Sequence, residues 1–368
     1  MMATDHLYQA LPEELANWLV EHGHSPTQLR SVMAWAYKKA SPPLFPRLLD
    51  DLRTLPKALP TIIERHLSVD GTQKMLFALE DDRRVEAVIL NYHRKLTVCL
   101  STQVGCAMGC TFCRTGQEGL ARNLEAHEIV GMYLILRNLI WHGTSMEAPC
   151  PNIVFMGQGE PLHNFEQVKR AISILLHPWA LDLGSRQITL STVGYLPGLI
   201  RFHELPRINL AFSLHSPFEE ERGELIPIER RFPLKEIQRV LKSLPLLPRQ
   251  FITLEYLILK NVNHSERHAQ ALADWSRDMK SIINLIPYNT IPDLPHQRPS
   301  EDMVDLFKKS LVKRGMRVME RVAKGSDIAA ACGQLASAHS HSKSWVGGSL
   351  TSPPLPVSRD SLSASISL

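Results

Sequence analysis

Apolar positions follow three successive patterns along the chain. Up to about residue 65, Leu15, Trp18 and Leu19, then Leu29, Val32, Met33, Trp35 and Ala36, recur mostly three and four apart, the spacing of one helix face. Pro42, Pro43, Pro46, Pro56 and Pro60 punctuate this stretch, so it predicts short helices in a small N-terminal domain over 1–65. From Gln73 to Leu90 apolar and polar residues alternate, interrupted at Asp81-Asp82. That pattern predicts a β-hairpin within a connection over 66–95. From residue 96 onward β-rich runs alternate with helical stretches. The runs are Leu96–Leu100, Ile153–Met156, Gln187–Ser191, Ile208–Leu214, Phe251–Ile258 and Ile283–Ile286. The helical stretches include Glu125–Trp141, Phe165–Leu176, Leu234–Leu244, Ser265–Lys280 and Ser300–Arg314. Strand–helix alternation implies a parallel sheet with right-handed crossovers, an α/β class closing into a full or partial TIM-like (β/α) barrel. Chemistry in such barrels sits at the C-terminal ends of the strands. This core spans 96–336. Ser337–Leu368 holds 11 serines in 32 residues, with Pro353, Pro354 and Pro356; it cannot bury a core and is expected to be a disordered tail.

The remaining bulk properties narrow the class only a little. The 368 residues fit about two domains, or one barrel with an appendage. Hydrophobic residues make up 44% and charged residues 21%, and the formal net charge is +4. That balance is compatible with a polyanionic partner without pointing to one. Six cysteines in this length exclude a disulfide-stapled secreted scaffold. No signal peptide is visible in MMATDHLYQALPEEL. The most apolar window, Ile129–Trp141, is short and interrupted by Arg137, below the roughly 20 apolar residues a membrane span needs. The expectation is a cytoplasmic protein, with no membrane partner, whose clustered cysteines are free to bind metal.

Those cysteines are Cys106-Ala-Met-Gly-Cys110-Thr-Phe-Cys113, a C-x3-C-x2-C run on a strand-to-helix loop. Three thiolates on so short a loop can grip three irons of a cubane cluster. The fourth iron then stays open to a chelating substrate. Gly105, Gly109 and Gly116 let the loop curl. A zinc site is the other reading, with Cys99 as fourth ligand at an unusual spacing. Further along, Gly159-Glu160-Pro161-Leu162 follows a strand, where backbone can approach a ligand and a carboxylate can bond an ammonium or a ribose. Ser191, the Ser213–His215 stretch and Asn289 also end strands. Polar groups placed there can face one mouth, though each alone reads equally as a turn or cap residue.

With aromatic Phe112 before its third cysteine, the run resembles the signature of the radical S-adenosylmethionine (SAM) superfamily. The surrounding text is more specific. Thr102-Gln103-Val104-Gly105-Cys106, the Gly116–Asn123 stretch, Met156-Gly157-Gln158-Gly159-Glu160-Pro161-Leu162, Ser213-Leu214-His215, the Asn284–Asn289 stretch and the Asp327–Leu335 stretch occur in that order. Together with Leu55-Pro56-Lys57-Ala58-Leu59 they are similar to the RlmN/Cfr family of RNA adenosine C-methyltransferases, from about residue 10 to 336.

The resemblance implies a [4Fe–4S] cluster on Cys106, Cys110 and Cys113, and SAM bound at Gly159, Glu160, Ser191, Ser213, Leu214, His215 and Asn289. It also implies a ping-pong route with two SAM molecules per turnover. Cys332 takes a methyl from the first. The second is cleaved to a radical that removes a hydrogen from that methyl, and the carbon adds to adenine. Glu86 accepts the ring proton. Cys99 then attacks the Cys332 sulfur, leaving methyladenosine and a Cys99–Cys332 disulfide for cellular thiols to reduce. Read without the family, Glu86 is a solvated strand residue, and Cys99 and Cys332 are small buried ones. Implied partners are ribosomal and transfer RNA, an electron donor such as flavodoxin or ferredoxin, and a thiol reductant; the chain is expected to be a monomer. Two basic groups suit RNA: Lys308, Lys309, Lys313, Arg314, Arg317, Arg321 and Lys324, and Arg230, Arg231, Lys235, Arg239 and Lys242. Each reads equally as a solvated helix face. Arg114, Gln158, Val193 and the Glu320–Lys324 stretch depart from the usual family text. They bear on which RNA and which ring carbon, C2 or C8, is methylated. An iron–sulfur RNA-binding protein without methyl transfer is the alternative from another class.

Overall fold

The structure is a computed structural model describing residues 6–38, 43–92, 95–142 and 150–336. The serine- and proline-rich segment read as a tail lies outside them. Among the described residues twelve strands follow in order: β1 (Thr61–Leu67), β2 (Gln73–Ala78), β3 (Arg84–Tyr92), β4 (Lys95–Cys99), β5 (Gln103–Gly105), β6 (Leu120–Asn123), β7 (Asn152–Phe155), β8 (Ile188–Thr192), β9 (Asn209–Ser213), β10 (Ile252–Ile258), β11 (Ser281–Pro287) and β12 (Val318–Glu320). All but β5 and β6 form one ten-stranded sheet in the order β1-β2-β3-β4-β7-β8-β9-β10-β11-β12. From β4 to β12 every neighbour is parallel. Among the described residues β12 pairs with β11 alone, so the array is the expected partial barrel.

The parallel strands read as they do because both their faces are covered. In β10, Ile252 and the run from Leu254 to Ile258 are all buried. Helix Phe165–Leu176 turns Phe165, Val168, Ala171, Ile172, Ile174 and Leu175 to the core. Helix Glu301–Lys313 starts where the Ser300 hydroxyl accepts from Met303 N–H at 3.3 Å, with Glu301 and Asp302 in its first turn, so both cap and charge favour that end.

The structure corrects three details of the sequence reading. The N-terminal helices are Pro12–Glu21, Leu29–Lys38 and Pro46–Thr54, but the span read as helical ends in a strand. In β1, the β-branched Thr61, Ile62 and Ile63 alternate in exposure and pair with β2, as such residues favour. The expected hairpin is therefore part of a β1-β2-β3 meander continuing the barrel sheet. The basic run from Lys308 to Lys324 is not one helix face: the helix stops at Lys313 and β12 follows.

The N-terminal helices share their core with the barrel. Leu15, Leu19, Val32, Met33 and Leu48 belong to the same buried cluster as Ile129, Ile172 and Leu190. Arg170, on helix Phe165–Leu176, reaches across to Glu14 with two bonds, at 2.6 and 3.0 Å, and to Gln9 O at 3.1 Å. Bidentate charge-assisted bonds of this kind are strong for their size. Arg170→Met is expected to lower stability by about 1–3 kcal/mol and to speed proteolysis between residues 12 and 54. Urea denaturation and timed digestion measure both, and unchanged stability would mean that apolar packing alone holds these helices.

Candidate active site

The cysteine loop leaves β5 and ends at the short helix Arg114–Glu118. β5 and β6 form a small antiparallel clasp at its base, which the sequence pattern did not reveal. Gly105 has φ of +79° and its backbone lies so close to the chain opposite that a Cβ would sit 1.9 Å from Gly119 O; only glycine fits. Across this turn Cys106 N–H donates to Gly119 O at 2.8 Å. The loop folds back on itself, since a Cβ at Gly116 would lie 2.9 Å from Cys110 N. Met108, Phe112, Leu225, Ile226, Leu257, Ile286 and Tyr288 surround the thiols with apolar groups. Burial pushes all three thiols up, Cys106 to about 12. Among the described residues no His, Cys, Asp or Glu side chains converge in threes on one point, as a single bound ion requires. A cubane needs a different arrangement, each thiolate on its own iron. Three thiols on a curled loop in apolar surroundings fit such a [4Fe–4S] cluster.

A cavity of about 880 Å³ opens over this loop, at the C-terminal ends of the parallel strands. Cys106, Cys110 and Cys113 line it, together with Gly159, Glu160, Ser191, Ser213 and His215. Gly157 and Gly159 crowd the first strand end: a Cβ on Gly157 would lie 2.6 Å from the Ser101 hydroxyl, and one on Gly159 2.6 Å from Gln103 Cβ. The buried Glu160 carboxylate accepts from Leu162 N–H at 3.0 Å and Val193 N–H at 2.9 Å. Burial outweighs those bonds and pushes its carboxyl up to about 7. His215 adopts φ of +58°. Its Nδ1 accepts from Leu257 N–H at 3.0 Å, and burial lowers the ring to about 3. The imidazole is therefore neutral, with its hydrogen on Nε2.

A second cavity of about 620 Å³ adjoins the first and is lined by Tyr92, Cys99, Asn289, Arg321, Cys332 and Leu335, among others. Cys332, Arg321, Cys113, Met156 and Gly157 line both cavities. Cys332 thus sits in the shared wall, reachable from the cluster side and from the Cys99 side. Both Cys99 and Cys332 are free thiols. Burial, then the neighbouring Cys332, raises the Cys99 thiol to about 12. Arg321, just past β12, donates to the Met156 sulfur at 3.5 Å. Its guanidinium is held charged above its ordinary range, by Cys332 first and then Tyr92, Glu255 and Cys99.

Most residues singled out in the sequence gather here, but three do not behave as read. Leu214 lines neither cavity; its carbonyl accepts from Arg222 Nε at 3.0 Å, in a buried pair with Glu229. Glu86 also lies outside both linings and is not solvated: its carboxylate meets Lys74 Nζ at 2.9 Å and accepts from Ala336 N–H at 2.8 Å. Gln158, noted as a departure, is fully buried, and its Oε1 accepts from Glu86 N–H at 2.8 Å, tying β3 to the turn after β7. Of the basic run, Lys308 is paired with Glu320 at 2.9 Å and Arg314 with Glu266. Sequence reasoning missed two charged groups, Arg321 and Glu255, in the cavity walls. Arg321 was hidden among surface bases, and Glu255 in an apolar strand, where a buried carboxylate was itself the available signal.

Comparison with known proteins agrees with this geometry. Residues 100–272 match the family model described as the Radical SAM superfamily. A dual-specificity RNA methyltransferase RlmN of Syntrophus aciditrophicus (strain SB) is 36% identical over 335 residues, covering 88% of this chain and 94% of that protein. A probable dual-specificity RNA methyltransferase RlmN of Synechococcus sp. (strain RCC307) is 40% identical over 334 residues, with coverage of 88% and 94%. The crystal structure of a radical SAM methyltransferase from Sphaerobacter thermophilus superposes with a TM-score of 0.84 at 35% identity, covering 90% of this chain and 98% of that one. Among the described residues no helix is long and apolar enough to cross a membrane. With the cysteine loop, the strand-end cavity and near full-length identity in accord, the chain belongs to the RlmN family of radical SAM RNA methyltransferases.

Proposed function

We propose that this enzyme methylates a ring carbon of adenosine, C2, in 23S ribosomal RNA and in transfer RNA, with Cys332 as methyl carrier and Cys99 as the thiol that releases it. One observation carries the reading: Cys332 lines both the cavity of the cluster cysteines and the cavity of Cys99. That its relatives are dual-specificity RNA methyltransferases supports two kinds of RNA as substrate. An unstacked base suits the second cavity, since a base inside a helix cannot reach a barrel mouth.

An adenine ring carbon is a poor nucleophile towards a sulfonium methyl, so a protein thiolate takes the methyl first. Cys332 attacks the methyl of one SAM held over Gly159, Glu160, Ser191, Ser213 and His215, with Asn289 at the second cavity's edge. The charged Arg321 lies with Cys332 in the wall shared by the two cavities. A [4Fe–4S] cluster held by Cys106, Cys110 and Cys113 would supply the electron for cleaving a second SAM, whose deoxyadenosyl fragment would take a hydrogen atom from the Cys332 methyl so that its carbon can bond to the base. Glu86 is the acceptor of the ring proton, and because it lies outside both cavity linings with its carboxylate on Lys74 and Ala336 N–H, the proton reaches it through an intervening group. Cys99 then bonds the Cys332 sulfur as the carbon–sulfur bond breaks, the released methylene takes up a proton to become the methyl group, and the odd electron of the adduct returns to the electron carrier. An external electron donor and a thiol reductant reset the protein, and it works as a monomer.

Removing Cys99 leaves loading and addition intact but blocks release. Cys99→Ala is expected to purify with RNA joined through a methylene to Cys332, and Cys99→Ala/Cys332→Ala without it. Nuclease digestion and peptide mass analysis read this directly. Normal turnover by Cys99→Ala, or an adduct on another residue, would overturn the two-thiol reading. Cys106→Ala, Cys110→Ala and Cys113→Ala should each give colourless protein, because two thiolates hold a cube poorly; iron analysis and visible absorbance check it. Arg321→Met should slow methylation of Cys332 roughly 10- to 100-fold, the equivalent of one charge-assisted contact worth about 1.5–3 kcal/mol, as followed by peptide mass against time.

A further inference from the structure

The segment that carries Cys332 has almost no regular structure. After β12 it forms one 3-10 turn, Ser326–Ile328, and then runs irregularly through Ala336. Its backbone twice enters the left-handed region near the cysteine, at Ala329 with φ of +51° and Gly333 with φ of +81°. No ladder of backbone bonds fixes such a stretch, so side chains from elsewhere must.

Several of those side chains come from the β1-β2-β3 meander, beside the Thr115 hydroxyl that donates to Leu335 O at 2.7 Å from the helix after the cysteine loop. Lys74 on β2 and Glu86 on β3 stand on adjacent, paired strands, where Lys74 is opposite Val88 and Glu86 opposite Leu76. Their side chains are only 9% and 8% exposed and meet at 2.9 Å. Each also has a second bond, and the two second bonds go to opposite ends of the Cys332 loop. Lys74 Nζ donates to Ala329 O at 3.3 Å, three residues before Cys332. Glu86 Oε2 accepts from Ala336 N–H at 2.8 Å, four residues after it. Further bonds lie outside this bracket: Asp327 accepts from the Ser68 hydroxyl at 2.6 Å, and Asp70 accepts from Gly325 N–H at 3.0 Å.

We propose that the buried Lys74–Glu86 ion pair is a positioning device that grips both ends of the Cys332 loop and holds the thiol in the wall between the two cavities. A buried ion pair is seldom more stabilising than apolar side chains of the same size, so its value lies in what it holds. Polar anchors suit this task because they fix the loop yet can yield to water when Cys332 has to turn from one cavity to the other. Lys74 therefore becomes a positioning residue for the reaction, and Glu86 has a holding role besides any proton it accepts. In its effect on methyl transfer the inference rests on Cys332 being the carrier; the loop's anchoring does not.

The test uses the full chain with its cluster. Lys74→Met/Glu86→Leu removes both charges without leaving one unpaired. Its thermal midpoint is expected to stay close to the parent's. Hydrogen exchange at the amides of residues 330–336 should be at least tenfold faster, and methylation of Cys332 by SAM at least tenfold slower with an unchanged KM for SAM. Glu86→Gln, which keeps an acceptor for Ala336 N–H, should lose less protection than Glu86→Ala. Lys74→Arg should restore protection relative to Lys74→Met. Parent-like exchange in 330–336 in the double variant, or no difference between Glu86→Gln and Glu86→Ala, would overturn the proposal. If the parent itself never gains a methyl on Cys332, the functional reading fails, while the exchange measurement still decides whether the pair holds the loop.

Discussion

Ala330 and Leu335 pack on Val88, Leu90 and Cys99, and on that small contact the arrangement of the site depends. β12 and β4 are the two ends of the parallel array and do not pair with each other. The chain leaving β12 crosses from one end to the other and rests on the β3–β4 face. Because it does so, Cys332 falls in the wall between two cavities and within reach of Cys99. A further bond ties it to the cluster loop: Arg114 N–H donates to Gly333 O at 2.8 Å. Thr115 adds its hydroxyl to Leu335 O at 2.7 Å. The Cys106, Cys110 and Cys113 thiols and the Cys332 thiol are thus parts of one packed unit.

Burial sets the chemical character of this unit. It raises Cys99, Cys106, Cys110 and Cys113 and the Glu160 carboxyl, and lowers the His215 ring. All of these favour neutral groups in an apolar mouth. Arg321 is the exception, charged and facing Cys332. A buried cation among neutral groups has a large influence in low dielectric, and this one shares both cavity walls with Cys332.

Much of this was legible in the chain. Strand–helix alternation after residue 96 gave the parallel sheet, since period and length are strong signals for buried strands. The cysteine spacing and the strand-end residues Gly159, Glu160, Ser191, Ser213 and His215 pointed to the mouth, because barrel strands end on the same side. What escaped was what depends on distant pairing. Thr61–Leu67 is a strand only because β2 lies beside it. Glu86 looked solvated because its partners Lys74 and Ala336 are 12 and 250 residues away. Arg321 read as one more surface base until β12 turned it inward, and Gln158 as a neutral departure until its bond to the β3 backbone was seen.

The central claim is that the transferred carbon passes through Cys332. An isotope chase tests it most directly. The enzyme is loaded with one methyl isotope, freed of SAM, and given RNA and reductant with SAM of the other isotope for a single turnover. The account predicts that the methyladenosine carries the isotope first placed on Cys332, and that the second appears on Cys332 only in later cycles. Methyladenosine carrying the second isotope in that first turnover would contradict it.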